Sequence, residues 1–462
     1  MRNVKKLKAS SKTALIFFPA FDWEISPTHP ERKERLLYTR DQVFEEGLLD
    51  IEGIIEYNPG IAGIEDVQQA HICVPNVEAV CTSSHLISAG AAIRAASLVL
   101  EGEVEKAFAI VRPPGHHAFR VVHGARGFCN INNEAIMVET LRKKYPDLKI
   151  AFVDTDAHHA DGTQDIFYHD PDVLHISLHQ DGRTLFPGSG FINEAGGPGA
   201  FGRTLNIPLP PGTSDQGFLY IIREFVLPVL ADFQPDLIIN AAGQDNHYSD
   251  PLTNMRVSAR AYAEMNSLLD PDLAILQGGY SIETALPYVN VGLILAMAGL
   301  DYSQVAEPDY DASKLKQGPE ITARIKETVK HLKRIWEGRD DRELMEKMFS
   351  SLSGSTGFAG GTGKFFTREK NIYYDTDGIS ESQEERVRIC PDCPGYLLID
   401  SKASRGSFKK TRIFAVSIPR LACEDCHQEA LEEFERVCRE LKRVYDYLYL
   451  QDLKADEYRI TR

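Results

Sequence analysis

Short apolar runs alternate with helical patterns from about residue 13 to residue 300. Each run is mostly apolar and ends at a polar residue or at a Gly or Pro turn, as buried strands do. The predicted strands are residues 14–18, 107–112, 149–154, 173–177, 237–241 and 273–277. Helical patterns at residues 89–101, 133–145 and 216–233 lie between them. This alternation predicts an α/β fold with one parallel sheet and helices on both faces.

The pattern changes after residue 318. Residues 319–349 predict two charged helices, and the Ser- and Gly-rich residues 350–363 predict a flexible linker. Beyond it, two short strands and a long polar helix are expected to close the chain. The predicted division is a basic tail (1–12), a main α/β domain (13–349), a linker (350–385) and a C-terminal module with its terminal helix (386–462).

The predicted terminal helix carries an apolar seam at 4, 3, 4, 3 spacing, which is heptad-like over only two turns of the pattern. The seam either packs on its own domain or forms a contact with a second copy of the chain. Its residues are Phe434, Cys438, Leu441, Tyr445 and Leu448.

The composition narrows the functional classes. With 43% hydrophobic and 26% charged residues in 462, the chain has enough apolar material for a large core. A net charge of -16 argues against binding of nucleic acid or an anionic membrane through the overall charge of the protein. No apolar run approaches the roughly 18 residues of a membrane span, and the N-terminus has no small-residue cleavage site. We therefore expect a cytoplasmic protein.

Four of the eight cysteines form two Cys-x-x-Cys pairs, Cys390 with Cys393 and Cys423 with Cys426. Paired knuckles separated by two predicted strands are typical of a structural zinc ribbon, in which closed coordination by four thiolates leaves no open position for catalysis. The alternative is four reduced, unliganded thiols. The basic loop at residues 402–412 could touch nucleic acid, but a solvated hairpin tip fits the acidic chain better.

Carboxylates and imidazoles are concentrated directly after one predicted strand, at Asp154, Asp156, His158 and Asp161. Asp156 and His158 are two residues apart, so on extended backbone they project to the same side. Oxygen and nitrogen ligands at that spacing suit Zn²⁺. A polar turn with capping residues is the alternative.

Three further strand ends carry reactive groups. His116 and His117 follow one strand, and histidine is readily poised for proton transfer near neutral pH. Asp245 follows another and could supply a third metal ligand. Gly279 and Tyr280 follow a third, where glycine allows close backbone approach and tyrosine offers a hydroxyl. Alone, each of these signals is weak.

Together these residues form an ordered set of motifs that resembles the zinc-dependent histone deacetylase superfamily, which includes acetylpolyamine amidohydrolases and acetoin-utilisation proteins. The resemblance covers about residues 13–340, and HPERKER at residues 29–35 is similar to the family's N-terminal loop. The motifs are RPPGHHA, GFCNINNEA, DTDAHHADGT, HISLH, FPGSG, NIPLPPGT, AAGQD with DPL, and QGGY.

The resemblance implies an arginase-like fold with a deep tunnel and a role for each matching residue. The implied zinc ligands are Asp156, His158 and Asp245. The implied catalytic groups are His117 as general base and acid, His116 as its electrostatic partner, Asp154 and Asp161 as carboxylates bonded to that pair, and Tyr280 as oxyanion stabiliser. The implied tunnel residues are Gly127, Phe128, Phe186, Leu252 and Gly279, and a potassium site is implied at Ser177 and Leu178.

Some positions depart from the superfamily's pattern. Ala160 stands where the two-manganese arginase branch has an aspartate, which favours one catalytic zinc and deacetylation. Thr155, Gln244 and Gln277 replace an aromatic, a Phe and a Glu that are frequent in the family. None of these changes removes a catalytic group.

The expected activity is zinc-dependent hydrolysis of an acetylated amine, most simply N-acetyl-lysine in a protein or peptide. Leu252 stands where an acid attracts the cationic chain in family members that prefer acetylpolyamines. An acetylpolyamine or other small acyl-amide amidohydrolase is the alternative enzyme. A protein of another class, an inactive homologue that binds acylated partners, is the second alternative. The expected cofactors are one catalytic and one structural Zn²⁺, with K⁺ as an addition.

Overall fold

An eight-stranded parallel sheet forms the centre of the main domain in the computed structural model. The structure describes residues 6–308, 310–341, 343–345, 365–406 and 409–462. The strands of the main domain are β1 (Lys8–Phe18), β2 (Glu52–Tyr57), β3 (Ile72–Cys73), β4 (Lys106–Val111), β5 (Val121–Val122), β6 (Ile150–Asp154), β7 (Val173–Gln180), β8 (Thr204–Leu209), β9 (Leu237–Ala242) and β10 (Leu273–Leu276). The sheet order is β2-β1-β4-β10-β9-β6-β7-β8, and β3 and β5 pair separately.

Helices cover both faces of this sheet, and each face buries its own apolar cluster. Their bounds are α1 (Leu37–Glu45), α2 (Ile64–Ala70), α3 (Val77–Val80), α4 (Ser83–Leu100), α5 (Asn133–Leu141), α6 (Asp161–Phe167), α7 (Asp215–Ile221), α8 (Leu227–Phe233), α9 (Ala259–Leu269), α10 (Ala285–Met297) and α11 (Pro319–Glu337). A π-helical turn, Ile222–Val226, joins α7 to α8. The predicted α/β class with a parallel sheet is confirmed.

Two predictions for the first hundred residues were wrong. Residues 8–12 are not a tail, because β1 begins at Lys8, which pairs with Glu52 of β2. An apolar segment of membrane-spanning length also exists, since α4 has 18 residues with a mean hydropathy of 1.2. More than half of α4 is buried inside the protein, and it packs against α5, β1 and β4. It is thus a core helix in this fold.

The C-terminal sheet has six strands in the order β11-β12-β13-β14-β15-β16. Their bounds are β11 (Phe365–Tyr374), β12 (Ile379–Arg388), β13 (Leu397–Arg405), β14 (Lys409–Ile418), β15 (Tyr447–Asp452) and β16 (Glu457–Thr461). Neighbouring strands are antiparallel except β14 and β15, whose parallel connection contains helix α12 (Glu424–Glu440). A parallel pair requires such a crossover, because a tight turn cannot join two parallel strands.

This sheet corrects two further predictions. Residues 365–385 are not linker but most of the β11–β12 hairpin, while residues 350–364 lie outside the described residues. The chain ends in strands rather than in a helix, since α12 ends at Glu440 and Leu448 belongs to β15. The apolar seam therefore packs against its own sheet, where Phe434 is buried. The remaining domain boundaries stay predictions, and the second predicted helix after residue 319 lies largely outside the described residues.

The C-terminal sheet packs on the main domain through apolar and ionic contacts. Ile399, Ala415 and Tyr449 bury their side chains against residues of β3 and β5. Beside them, Asp165 of α6 accepts hydrogen bonds from Arg368 Nη2 at 3.0 Å and from Lys370 Nζ at 2.6 Å. The sheet therefore lies against α6 and the segment after β4, which carry parts of the site described next.

Candidate active site

Four adjacent central strands, β4, β10, β9 and β6, bring the reactive side chains to one edge of the sheet. Parallel strands place their carboxyl ends at the same edge, and ligands bind there in open α/β sheets. His116 and His117 follow β4, Asp156 follows β6, Asp245 follows β9 and Tyr280 follows β10. The sequence-predicted groups therefore lie together because of sheet order, although they are far apart along the chain.

Asp156, His158 and Asp245 form the candidate metal centre. Their ligand atoms all lie within 4.8 Å of one another. His158 Nδ1 is 2.8 Å from Asp245 Oδ2 and 3.1 Å from Asp156 Oδ1. Both carboxylates are fully buried, which is costly unless cations or hydrogen-bond donors compensate their charge. Two carboxylates and one imidazole are a donor set that suits Zn²⁺.

Glycines bring backbone against this centre. The Gly278 amide donates to Asp156 Oδ2 at 2.7 Å. A Cβ at Gly278 would lie 2.4 Å from that oxygen and 2.6 Å from Asp245 Oδ2, and one at Gly243 would lie 2.2 Å from Asp156 Cα. Both positions therefore require glycine for the carboxylates to keep their places.

His116 and His117 lie side by side, with ring centroids 4.1 Å apart. His116 Nδ1 is bonded to Asp154 Oδ2 at 3.0 Å, and His117 Nδ1 to Asp161 Oδ1 at 2.7 Å. Burial opposes a charge on His116, but the carboxylates of Asp156 and Asp154 outweigh it and raise the pKa of His116 to about 10. Burial and the adjacent His116 charge lower the pKa of His117 to about 3. These opposite pKa shifts favour the charged form of His116 and the neutral form of His117.

Tyr280 lies beside the metal centre with its ring buried between two neighbours. Its centroid is 5.6 Å from that of Phe128, and Arg35 Cζ lies 5.0 Å from it. Burial raises the pKa of Tyr280 well above its ordinary value, so the phenol keeps its proton and can donate it in a hydrogen bond.

Arg35 and Glu31 are site residues to which the sequence analysis assigned no role, although both lie in the HPERKER motif. Both side chains are fully buried and paired at 2.8 Å, and Arg35 Nε donates to the carbonyl of Gly279 at 2.9 Å. Gly279 has φ +121, a conformation that favours glycine. A buried ion pair thus holds the backbone that precedes Tyr280.

Of the predicted tunnel residues, Gly127 and Phe186 lie against His117, and Phe128 lies against Tyr280. Gly127 and Phe128 both have positive φ, which turns the loop so that the Phe128 ring lies 4.3 Å from His29 and near Tyr280. The Phe186 ring lies 5.2 Å from that of His117. Leu252 is half-buried, and its amide donates to Asp250, whose other oxygen accepts from the Tyr280 amide.

Gln277, where the family often has Glu, contributes to the position of the histidine pair. Its Oε1 accepts from the amides of Gly115 and His116 at 2.9 and 3.2 Å, and its Nε2 donates to Glu134 at 2.6 Å. The predicted potassium residues Ser177 and Leu178 are buried in β7, beside Asp154 of β6. Potassium binding stays a prediction.

The four knuckle cysteines converge at one end of the C-terminal sheet. Their sulfur atoms lie within 4.8 Å of one another, and Cys390 Sγ and Cys423 Sγ are 3.9 Å apart. Tetrahedral thiolate coordination of zinc needs such a cluster. The geometry fits the predicted structural site, which lies apart from the carboxylate and histidine centre.

The sequence matches a family model described as histone deacetylase domain over residues 66–291. A probable deacetylase of Archaeoglobus fulgidus is 43% identical over 353 residues, which cover 70% of this chain and 97% of that protein. The acetoin utilization protein AcuC of Bacillus subtilis is 37% identical, over 50% of this chain and 61% of its own. The Pseudomonas aeruginosa histone deacetylase-like amidohydrolase is 35% identical, over 50% and 62%.

The fold is also similar to a solved structure. A crystal structure titled HDA15 HD domain matches with a TM-score of 0.62 and 26% sequence identity. The match covers 74% of this chain and 100% of that one.

Proposed function

The chain belongs to the histone deacetylase family, and from that premise we propose that this deacetylase removes the acetyl group from N-acetyl-lysine in proteins or peptides. The observation that carries the proposal is the position of the Asp156, His158 and Asp245 donor atoms beside the His116–His117 pair and Tyr280. The family is generally zinc-dependent, and this donor set suits zinc.

In the proposed mechanism, Asp156, His158 and Asp245 would hold the catalytic zinc ion. When bound, zinc polarises the acetyl carbonyl and makes a water molecule more acidic. The neutral His117 takes a proton from the attacking water and delivers a proton to the leaving amine. Asp161 fixes the His117 ring through the 2.7 Å bond to Nδ1, so that Nε2 is free to accept.

The remaining groups stabilise developing charge. Charged His116, held by Asp154, adds a positive charge beside His117. The protonated Tyr280 hydroxyl donates to the carbonyl oxygen as it becomes negative, a contribution that typically changes the rate by ~10²–10³. Phe128 and Phe186 would contact the apolar stem of the acetylated side chain.

The second candidate substrate is an acetylated polyamine or another small acyl-amide. Leu252 is half-buried and uncharged, and its amide bonds Asp250. An apolar side chain at this position favours the neutral stem of acetyl-lysine in a peptide over the cationic chain of an acetylated polyamine. A cytoplasmic location, self-association and the inactive, acyl-binding alternative also stay predictions.

The test measures free acetate from purified, zinc-loaded protein. The substrates are an acetyl-lysine peptide library, acetylspermidine and acetylputrescine, and the His117→Ala variant is the inactive control. We expect acetate from peptides and a fall of ~10²-fold or more in the variant. Acetate mainly from polyamines would favour the second candidate. No acetate from any substrate, with zinc bound, would favour the acyl-binding alternative.

A further inference from the structure

Arg126 is a buried arginine, and each of its three guanidinium nitrogens donates a hydrogen bond. Its Nε and Nη2 donate to Asp161 Oδ2 at 3.0 and 2.7 Å. The other oxygen of the same carboxylate, Oδ1, is bonded to His117 Nδ1 at 2.7 Å. Asp161 therefore joins an arginine to the histidine, one carboxylate oxygen for each partner.

The third donor of Arg126 reaches the C-terminal sheet. Its Nη1 donates to the carbonyl of Tyr373, near the end of β11, at 2.6 Å. The guanidinium also lies 5.4 Å from the ring centroid of Phe119 and 5.0 Å from that of Phe186. These contacts fix the plane of the guanidinium, because arginine presents its donors in a rigid fork.

The turn of the β11–β12 hairpin holds the backbone on both sides of Arg126. The Ala125 amide donates to Asp377 Oδ2 at 2.7 Å, and the Gly127 amide donates to Asp375 Oδ1 at 2.8 Å. The approach is close, since a Cβ at Gly124 would lie 2.6 Å from Asp377 Oδ2. Three successive residues of the main domain are thus bonded to one hairpin.

We propose that Arg126 is a positioning residue for His117 and that the β11–β12 hairpin completes the active site by holding Arg126. The inference rests on the proposed function and extends it. Arg126 fixes the Asp161 carboxylate, and Asp161 in turn fixes the His117 ring, while Tyr373, Asp375 and Asp377 fix the loop that carries Arg126. The C-terminal sheet is thereby part of the catalytic apparatus.

This arrangement predicts a specific kinetic effect of Arg126→Ala. The variant leaves Asp161 Oδ2 without its charged partner, so the carboxylate and the His117 ring lose their fixed orientation. Since a misplacement of about 1 Å can cost ~10²-fold in rate, we expect kcat to fall about 10²-fold with KM within about twofold. Arg126→Lys should recover part of kcat, and added guanidinium ion should recover part of it in Arg126→Ala only.

The hairpin is tested by Asp375→Asn combined with Asp377→Asn, which weakens two bonds to the loop without changing Arg126 or His117. We expect kcat to fall in the same direction as in Arg126→Ala. Arg120→Ala is the matched control, because Arg120 bonds Gln451 across the same domain contact at 3.2 Å, and its other side-chain bond goes to the Ile166 carbonyl. Its kcat should equal that of the unmodified protein.

Two results would overturn the positioning role: an unchanged kcat in Arg126→Ala, or an equal loss in Arg120→Ala. A second measurement does not need turnover. The proton on His117 Nδ1, assigned in NMR spectra by its loss in His117→Ala, should be visible in the unmodified protein and shift or exchange rapidly in Arg126→Ala. If the unmodified protein releases no acetate, the proposed function fails, and an unperturbed Nδ1 proton would still refute the role of Arg126.

Discussion

Two glycines set the dimensions of the metal centre, because their missing side chains leave room for the carboxylates. Gly243 approaches Asp156 from one strand end, and Gly278 approaches both Asp156 and Asp245 from the next. The two residues follow β9 and β10, which are neighbours in the sheet. Substitutions of these two glycines should therefore weaken metal binding more than they destabilise the fold.

Gly278→Ala should weaken zinc binding at the catalytic centre about 10-fold or more, the loss expected when groups that orient metal ligands are changed. The new Cβ would overlap Asp156 Oδ2 and displace at least one ligand. Zinc affinity is measured by competition with a chelator. Gly199→Ala is the matched control, since a Cβ there meets nothing within 4 Å. Equal affinities in the two variants would contradict the prediction.

Some site residues could be predicted from the sequence, and others could not. Asp156, His158, Asp245 and the histidine pair could be predicted, because polar groups directly after buried strands mark the ligand edge of a parallel sheet. Arg126 could not be predicted in this way. The carbonyl to which it donates is 247 residues further along the chain, and no periodicity connects such partners.

Among the elements of the main sheet, six strands could be predicted from their apolar runs, but the two edge strands, β2 and β8, could not. Strand β8 is buried, but Asn206 and Pro208 interrupt its apolar run. The six predicted strands of the main sheet are short apolar runs, whereas edge strand β2 reads EGIIEY and only one of its side chains is fully buried. Strand β11 has charges within an apolar frame, and the half-buried Arg368 and Lys370 pair with the buried carboxylates of Asp165 and Glu385. The sequence does not identify these carboxylates as partners of Arg368 and Lys370, because the ion pairs form only in the folded chain.

The cysteine cluster at the N-terminus of α12 gives an element-scale prediction. Zinc-loaded protein should contain two zinc ions per chain, and Cys393→Ser combined with Cys423→Ser should contain one, because each removes a thiolate ligand. Elemental analysis of the purified proteins measures the count. Cys438→Ser is the control, because Cys438 lies on α12 outside the cluster, and it should keep two. A double variant that retains two ions would contradict the site.

At the scale of the whole molecule, buried neutral histidines set the response to acid. Burial lowers the pKa of His71 and of His85 to about 4. His71 Nδ1 bonds the Phe119 carbonyl while Nε2 accepts from the Asn132 amide, which requires an uncharged ring. The unfolded chain binds protons at these rings more readily than the folded chain does. The stability that the neutral rings contribute is therefore fully present above about pH 6.5 and is lost as the pH falls toward about 4.

The size of the effect can be tested at His71. Since one pKa unit corresponds to about 1.4 kcal/mol, protonation should cost the fold about 3 kcal/mol at this residue. In His71→Gln, the difference in unfolding free energy between about pH 7.5 and about pH 4 should shrink by that amount. His331→Gln changes an exposed histidine of α11 and should leave the difference as it is. Urea unfolding measures both, and identical pH profiles would refute the role of His71.

The hydrogen bonds between the Arg126 loop and the β11–β12 hairpin join a segment that the ribosome synthesises early to one that it synthesises late. They join residues 247 to 252 positions apart. At roughly 5–20 residues per second, a ribosome makes the hairpin about 12–50 s after the loop that it holds. The ligands of the catalytic zinc site, which all precede residue 246, are therefore synthesised well before the hairpin. By the positioning role proposed above, a chain interrupted before residue 373 carries every catalytic side chain but lacks the support that orients them. Only a chain that extends through the β11–β12 hairpin becomes fully active.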